Sequence, residues 1–393
     1  MSNPSTKDYP NKVLETFSFY YKLKFLLASS RVSFSNKCLR PITIYQKIYT
    51  VSFLLLFTYS YSNIHQLVSE FYKDRNRNMY LCSVGAAGIH YFAFIFNMIH
   101  VRFFNNQANV NFCVELEEID RSMNIDKFDD LNSILRIFNN ITAGLLLMTL
   151  ICLASITFLD DSFLTTITGV TVTTTEVTCV IELSYYSNLV VFFAIRIRFV
   201  NSIIANYYNK SMEDNFYSFY GKNKVRTIAA KNHEFNTCDT DIYLTKIMHG
   251  FAEFQKLYQF QFFVLCAKTV VGIIIYFQIV LIGIKADLCG YFEVICIIAF
   301  VASNVYVLSY ICLGCQIFLD DIAETRQLCI FTLGADNYGP LRRKASMMIK
   351  ILDTDPPKFS VYGMFNIEAR FLLKMFHITT MLMVAQLQFV FLG

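Results

Sequence analysis

Seven stretches of about twenty mostly apolar residues, spread along a 393-residue chain, leave a soluble fold little room. They run roughly Ile48 to Val68, Met79 to Ile99, Ile137 to Phe158, Ile167 to Phe193, Tyr258 to Ile284, Phe292 to Cys315 and Phe371 to Val390. A helix of that length crosses a bilayer, and one that is apolar all round has no face to turn to water. With 55% hydrophobic and 16% charged residues, the chain is expected to be an all-α membrane protein of seven transmembrane helices. The formal charge of +4 is small and scattered over loops, which excludes a nucleic-acid partner and leaves membrane lipid as the surrounding medium. Twelve cysteines lie mostly inside the apolar runs, as buried free thiols do, so Cys312-x-x-Cys315 is not read as a metal or redox site. Cys82 and Cys289 are the two thiols expected near the outer face, where a disulfide between them is an open alternative. No metal-binding, phosphate-binding or nucleophile motif stands out, so neither a cofactor nor an enzyme activity is expected. No removable signal peptide is expected at the amino end.

The connections between the apolar segments alternate. The first, third and fifth are short, with Asp160-Asp161-Ser162 and Ala286-Asp287-Leu288 in two of them, and the second, fourth and sixth are long. About 28 of the 34 Lys and Arg residues fall in the amino-terminal segment and the long connections, against about 4 in the short ones. Positive charge on the inside puts the amino terminus in the cytoplasm and, after seven spans, the carboxyl terminus outside. Residues 1–45 form the cytoplasmic amino-terminal segment, in which Val13 to Leu27 suits a helix lying on the membrane surface. Residues 46–335 hold transmembrane helices 1 to 6 with cytoplasmic extensions, and residues 336–393 hold a cytoplasmic helix and the seventh span. The fourth segment continues in helical pattern from Arg196 to Tyr208, and the fifth begins early, near Ile242. Leu341 to Leu352 reads as an amphipathic helix between Gly339-Pro340 and Asp355-Pro-Pro357. These apolar faces need each other, so a packed cytoplasmic anchor bundle is expected. Asn140-Ile-Thr falls in the third span and Asn209-Lys-Ser in a cytoplasmic loop, so neither sequon is read as glycosylated.

The last segment is the most informative. Gln386 and Gln388 lie near its end, at a depth where an amide needs a partner or water. Met381, Ala385 and Gln388 recur at helical spacing on one stripe, which several copies of the helix would hydrate around a shared path; bonds to neighbouring helices of the same chain are the alternative.

Gly363, Phe365, Glu368, Leu372, Gln388 and Phe389, with the sequence closing soon after, resemble the carboxyl-terminal signature of insect gustatory receptors. The signature's Thr-Tyr pair is replaced by Met381-Leu382, with Thr379 and Thr380 just before. His249 through Phe262 is similar to the lead-in helix of that family's fifth span, and the layout extends over the whole chain. The resemblance implies a ligand-gated, nonselective cation channel of four subunits in the plasma membrane of a gustatory receptor neuron. The last helix of each subunit, as a homotetramer or a heterotetramer with other gustatory receptors, would line one pore. Gln388 and Phe389 would then lie near the gate, with Ala385 and Met381 on the same wall. Odorant-receptor-type channels share the layout. A G-protein-coupled receptor would need the opposite orientation, and a secondary transporter would need paired repeats with Gly or Pro breaks that are absent here.

In a receptor, polar and aromatic side chains in the outer halves of the spans would meet a small-molecule tastant. These are Thr171, Thr175 and Glu176 in the fourth segment, Tyr276 and Gln278 in the fifth, and Asn304 and Tyr306 in the sixth, with His90 and Tyr91 near the middle of the second. Each suits a structural hydrogen bond as well as a ligand contact, and the threonines suit back-bonding to their own helix. Glu182 and Lys268 are expected to form an intramembrane ion pair. Thirty-nine Phe and 24 Tyr, with a sparse polar set, favour bitter or plant secondary compounds over sugars.

Overall fold

The computed structural model describes residues 16–35, 38–72, 76–123, 135, 137, 139–142, 144, 163–211, 239–287, 290–335, 340–354 and 356–391. In chain order they form α1 (Ser18–Leu26), a hairpin of β1 (Ser33–Ser35) and β2 (Cys38–Arg40), α2 (Ile44–Tyr72), α3 (Arg77–Phe103) and α4 (Asn106–Ser122). There follow α5 (Phe163–Ser211), α6 (Thr240–Lys285), α7 (Tyr291–Ala335), α8 (Pro340–Thr354), a second hairpin of β3 (Ser360–Val361) and β4 (Phe365–Asn366), and α9 (Ala369–Phe391). Among the described residues, four helices are long and apolar enough to cross a membrane: Arg77–Phe103, Gly169–Ala205, Thr240–Lys285 and Ile297–Gly334. Helices α2 and α9, of 29 and 23 residues, reach spanning length but carry more polar side chains, including His65 in α2 and Lys374, His377, Gln386 and Gln388 in α9. The expected third segment, Ile137 to Phe158, lies largely outside the described residues, as do Asp160-Asp161-Ser162 and Cys289.

Helix α5 is the axis of the molecule. From Val177 to Ile204 nearly every residue is buried, as a helix apolar on all sides requires. It packs chiefly against α7 and also against α6, while α3 lies on α6 and α2 on α3. The three long helices run well beyond the apolar segments. The sequence pattern ends the sixth segment at Cys315, yet α7 continues to Ala335, because Phe318, Asp321, Ile322, Thr325 and Cys329 keep one face buried at helical spacing.

The extensions pack against one another and against α4 and α8. Arg196 of α5 makes a two-pronged ion pair with Asp120 of α4, Nε to Oδ1 at 2.9 Å and Nη2 to Oδ2 at 2.7 Å. Arg198 Nε donates to Asp321 of α7 at 2.8 Å, and Thr325 Oγ1 donates to Asn201 at 2.6 Å. Helix α8 covers the sequence-predicted range and buries Ala345, Met348 and Leu352, with Met348 against Cys329 of α7.

Helix α1 departs from the surface-lying reading. Phe19, Phe25 and Leu26 are exposed, but the opposite face carries Tyr20 and Lys24 into the interior against α5. Tyr20 bonds with Thr142 and accepts from Asn188 at 2.7 Å, so the helix is fixed by polar contacts that amphipathicity alone does not reveal.

Candidate functional site

Glu176 of α5 organises a charged region between the apolar helices. Its Oε2 accepts from Lys268 Nζ of α6 at 2.6 Å, and its Oε1 meets His90 Nδ1 of α3. On the other side of the imidazole, His90 Nε2 bonds with the Tyr276 hydroxyl of α6 at 2.9 Å. Glu176, His90 and Lys268 are all buried, so the carboxylate stands between an ammonium and an imidazole with hardly any water nearby. A buried charge is tolerated only with this kind of partnership. One residue earlier, Thr175 back-bonds to Val172 and meets the Tyr61 hydroxyl of α2 at 3.2 Å. Three helices, α2, α3 and α6, thus converge on one turn of α5.

A cavity of about 10 Å³ beside this cluster is lined by His90, Lys268, Tyr276, Phe300 and Asn304. It is about the size of a single water. A ligand admitted here must therefore displace side chains or open the helices. Its polar groups would meet an ion pair, an imidazole and a phenol, and its apolar part would meet Phe300 and Ile273.

Of the sequence-derived recognition set, His90, Glu176 and Tyr276 are brought together, with Thr175 and Asn304 at the margin. Asn304 is buried and donates to the Phe300 carbonyl of its own helix at 3.1 Å. Tyr91 turns away from the cluster and donates to Thr58 of α2 at 3.0 Å. Tyr306 is 47% exposed on the outside of α7 and is not part of the site. Gln278 is half-buried, with an amide oxygen that has no hydrogen-bond partner among the described residues. Cys82 is a free thiol.

The expected Glu182–Lys268 ion pair is not formed. Residues 176 and 182 are six apart, about 9 Å along the helix axis, and Lys268 lies at the level of Glu176. The level of Glu182 is served from the amino-terminal segment: Lys24 Nζ donates to its Oε2 at 3.0 Å, and Arg31 Nη2 approaches to 3.8 Å. Hydropathy windows rank residues by position in a segment, and an intruding charge from outside the seven segments is invisible to them.

This second cluster was missed in the sequence. Lys24 lies 3.6 Å from the centre of the Tyr185 ring, and Arg31 lies 4.1 Å from that of Tyr258 while donating to the Tyr186 hydroxyl at 2.9 Å. Burial pulls the Lys24 ammonium down to about 8; Glu182 opposes that fall, and the Arg31 charge reinforces it. The one available signal was a cluster of aromatic and basic residues in Tyr20-Tyr-Lys-Leu-Lys24, which also suits a surface helix.

Around the last helix, the hairpin places the signature residues. Tyr362 and Gly363 both have positive φ, 50° and 72°, and the Met364 amide donates to the Val361 carbonyl at 2.9 Å. Gln255 of α6 donates to the Ser360 carbonyl at 2.8 Å, while Phe359, Val361 and Ile367 are fully buried. Phe365 stacks on Phe371 at 4.6 Å, which ties the hairpin to the first turn of α9. Beyond it, Met381 is 64% exposed, Gln388 is exposed and Ala385 is half-buried. The Gln386 amide oxygen is buried without a hydrogen-bond partner among the described residues. The Phe389 side chain lies outside the described residues.

No protein-family profile matches the sequence, and no curated protein matches it either. The fold is similar to that of solved structures. The insect olfactory receptor OR5 from Machilis hrabei, in complex with eugenol, superimposes with a TM-score of 0.65 at 9% identity, over 96% of this chain and 99% of that one. The same receptor without a named ligand gives a TM-score of 0.63 at 10% identity, over 97% of this chain and 100% of that one. The chain thus shares an end-to-end fold with an insect olfactory receptor at an identity of 9–10%.

Proposed function

We propose that this chain is a chemoreceptor of the insect kind: a multi-pass membrane protein that opens as a nonselective cation channel when a small organic molecule binds. The observation that carries the reading is the fold shared over essentially the full length of both chains with an insect olfactory receptor. In this reading four copies assemble, as a homotetramer or with related subunits, and α9 of each copy faces a common axis. Met381 and Gln388 support it, since both are open on a single copy and lie on one stripe with Ala385. A ring of amides around water is satisfied where an isolated amide in lipid is not. Gln388 and Phe389 then line the gate. The ligand acts at the Glu176 cluster, with His90, Lys268, Tyr276 and Asn304 as its walls, and Thr175 behind Glu176. Gln278 and Tyr91 belong to the periphery. The amino terminus is cytoplasmic, seven helices span the plasma membrane, and the carboxyl end is outside.

The signature from Gly363 to Phe389 favours a gustatory receptor, and the aromatic, sparsely polar interior favours a bitter or plant secondary compound over a sugar. A second reading, an odorant-receptor-type channel, is favoured by the olfactory receptor fold. Calcium imaging of cells expressing this chain alone, against a panel of plant toxins, sugars and volatile aromatics, separates the two. A response without added G protein, with permeation altered in Gln388→Ala at unchanged surface expression, supports the channel. Unaltered permeation in a well-expressed Gln388→Ala removes the pore assignment.

A further inference from the structure

A larger cavity than the one beside Glu176 is present. It lies between α2 and α3, has a volume of about 250 Å³, and is walled by Thr58, Tyr61 and His65 on one side and Val84, Gly88 and Tyr91 on the other. Each set falls at helical spacing, so two facing stripes wall the space, which is open where Thr58, Ser62 and His65 are exposed. Packed helices usually close to within about 8–10 Å of each other. Here aromatic pairs bridge the two helices. Tyr61 and Tyr91 meet with ring centres 4.9 Å apart, and Tyr80 bonds to His65 Nε2 at 3.3 Å. Between them α3 presents small residues, and a Cβ added at Gly88 would meet nothing within 4 Å.

We infer that this cavity is a second ligand site, for a small lipophilic molecule of about ten heavy atoms that carries one hydroxyl. The size follows from a 150 Å³ apolar cavity being large enough for benzene. The chemistry follows from the lining: Val84, Ala87, Gly88 and Ile64 give an apolar wall, while Ser62 and His65 border the same space and hydrogen-bond a hydroxyl. A lipid tail is also apolar but offers those two groups nothing.

The site reaches the charged cluster through both walls. The Tyr61 hydroxyl bonds with Thr175, next to Glu176, and Tyr91 follows His90, which pairs with Glu176. An occupant that shifts either tyrosine therefore acts on the Glu176 cluster. The inference does not depend on the channel reading, because binding is read directly.

The test is photolabelling of the purified protein with 4-azidophenol and peptide mass spectrometry. The expected result is labelling of residues 58–68 and 84–91 that excess unlabelled phenol displaces. Labelling should be retained in Gly88→Ala and fall about tenfold in Gly88→Phe, which fills the space. Should Gly88→Phe not fold, displacement on the unmodified protein decides alone. Absence of labelling from these peptides, labelling there that phenol does not displace, or undiminished labelling of folded Gly88→Phe overturns the inference. So does a diazirine-tailed phosphatidylcholine that labels the same peptides and that phenol cannot displace, since the groove would then belong to lipid.

Discussion

Replacing Glu176 by Gln leaves the Lys268 ammonium, only 4% exposed, and His90, 5% exposed, facing an amide. Removing one partner of a buried ion pair costs about 3–5 kcal/mol, because the remaining charge keeps its desolvation penalty. Lys268→Met is milder, since Glu176 keeps His90 on its other oxygen and the thioether fills the lysine stem's space. A loss of about 1–3 kcal/mol is expected there. In Glu176→Gln/Lys268→Met both charges are gone, and the double variant should return to within about 2 kcal/mol of the parent. With an unfolding entropy of about 2.1 cal/mol/K per residue over 393 residues, 4 kcal/mol corresponds to a Tm lower by about 5 °C. A thiol-reactive fluorophore measures this in detergent without added labels, because Cys179, Cys266, Cys312 and Cys315 are free, buried thiols that unfolding uncovers. If Lys268→Met costs as much as Glu176→Gln, or the two losses add in the double variant, the charges are not partners and the cluster is wrongly drawn.

Two further outcomes follow from the same geometry. Gly363→Ala should lower stability by about 1–2 kcal/mol, all of it conformational, since φ is 72° and the added Cβ meets nothing within 4 Å. Thermal unfolding measures it, and a neutral substitution would mean that the turn is not as drawn. Lys24 should make stability depend on alkaline pH. The folded state gives up this proton near pH 8 and the unfolded chain near the ordinary lysine value of 10.5, so between those values the unfolded state binds more protons. The parent should therefore gain stability relative to Lys24→Met as pH rises from 8 to 10.5, and a constant difference would contradict a buried ammonium.

The sequence reveals what depends on long periodic signals. The continuous apolar segments give the helices, and Gly339-Pro340 and Asp355-Pro-Pro357 bracket α8 to within two residues. His90, Glu176 and Tyr276 stand out because polar groups are costly inside apolar segments, and the structure joins all three. Their partners are less legible. The pairing of Lys268 with Glu182 fails because depth read from a linear window is coarse to about two helical turns. The surface reading of Lys24 fails because α1 is short and amphipathic, and its buried face is polar and tertiary in origin. The α2–α3 cavity left no trace in hydropathy, since Val84, Ala87 and Gly88 look like any small-residue stretch until a second helix fails to close on them.

Electron cryomicroscopy of the purified full-length protein in lipid nanodiscs tests the central claim most directly. The account predicts four copies around one axis, with Met381, Ala385 and Gln388 of every α9 turned toward it. Single copies, or an assembly in which α9 faces lipid and the axis is closed by other helices, would contradict it.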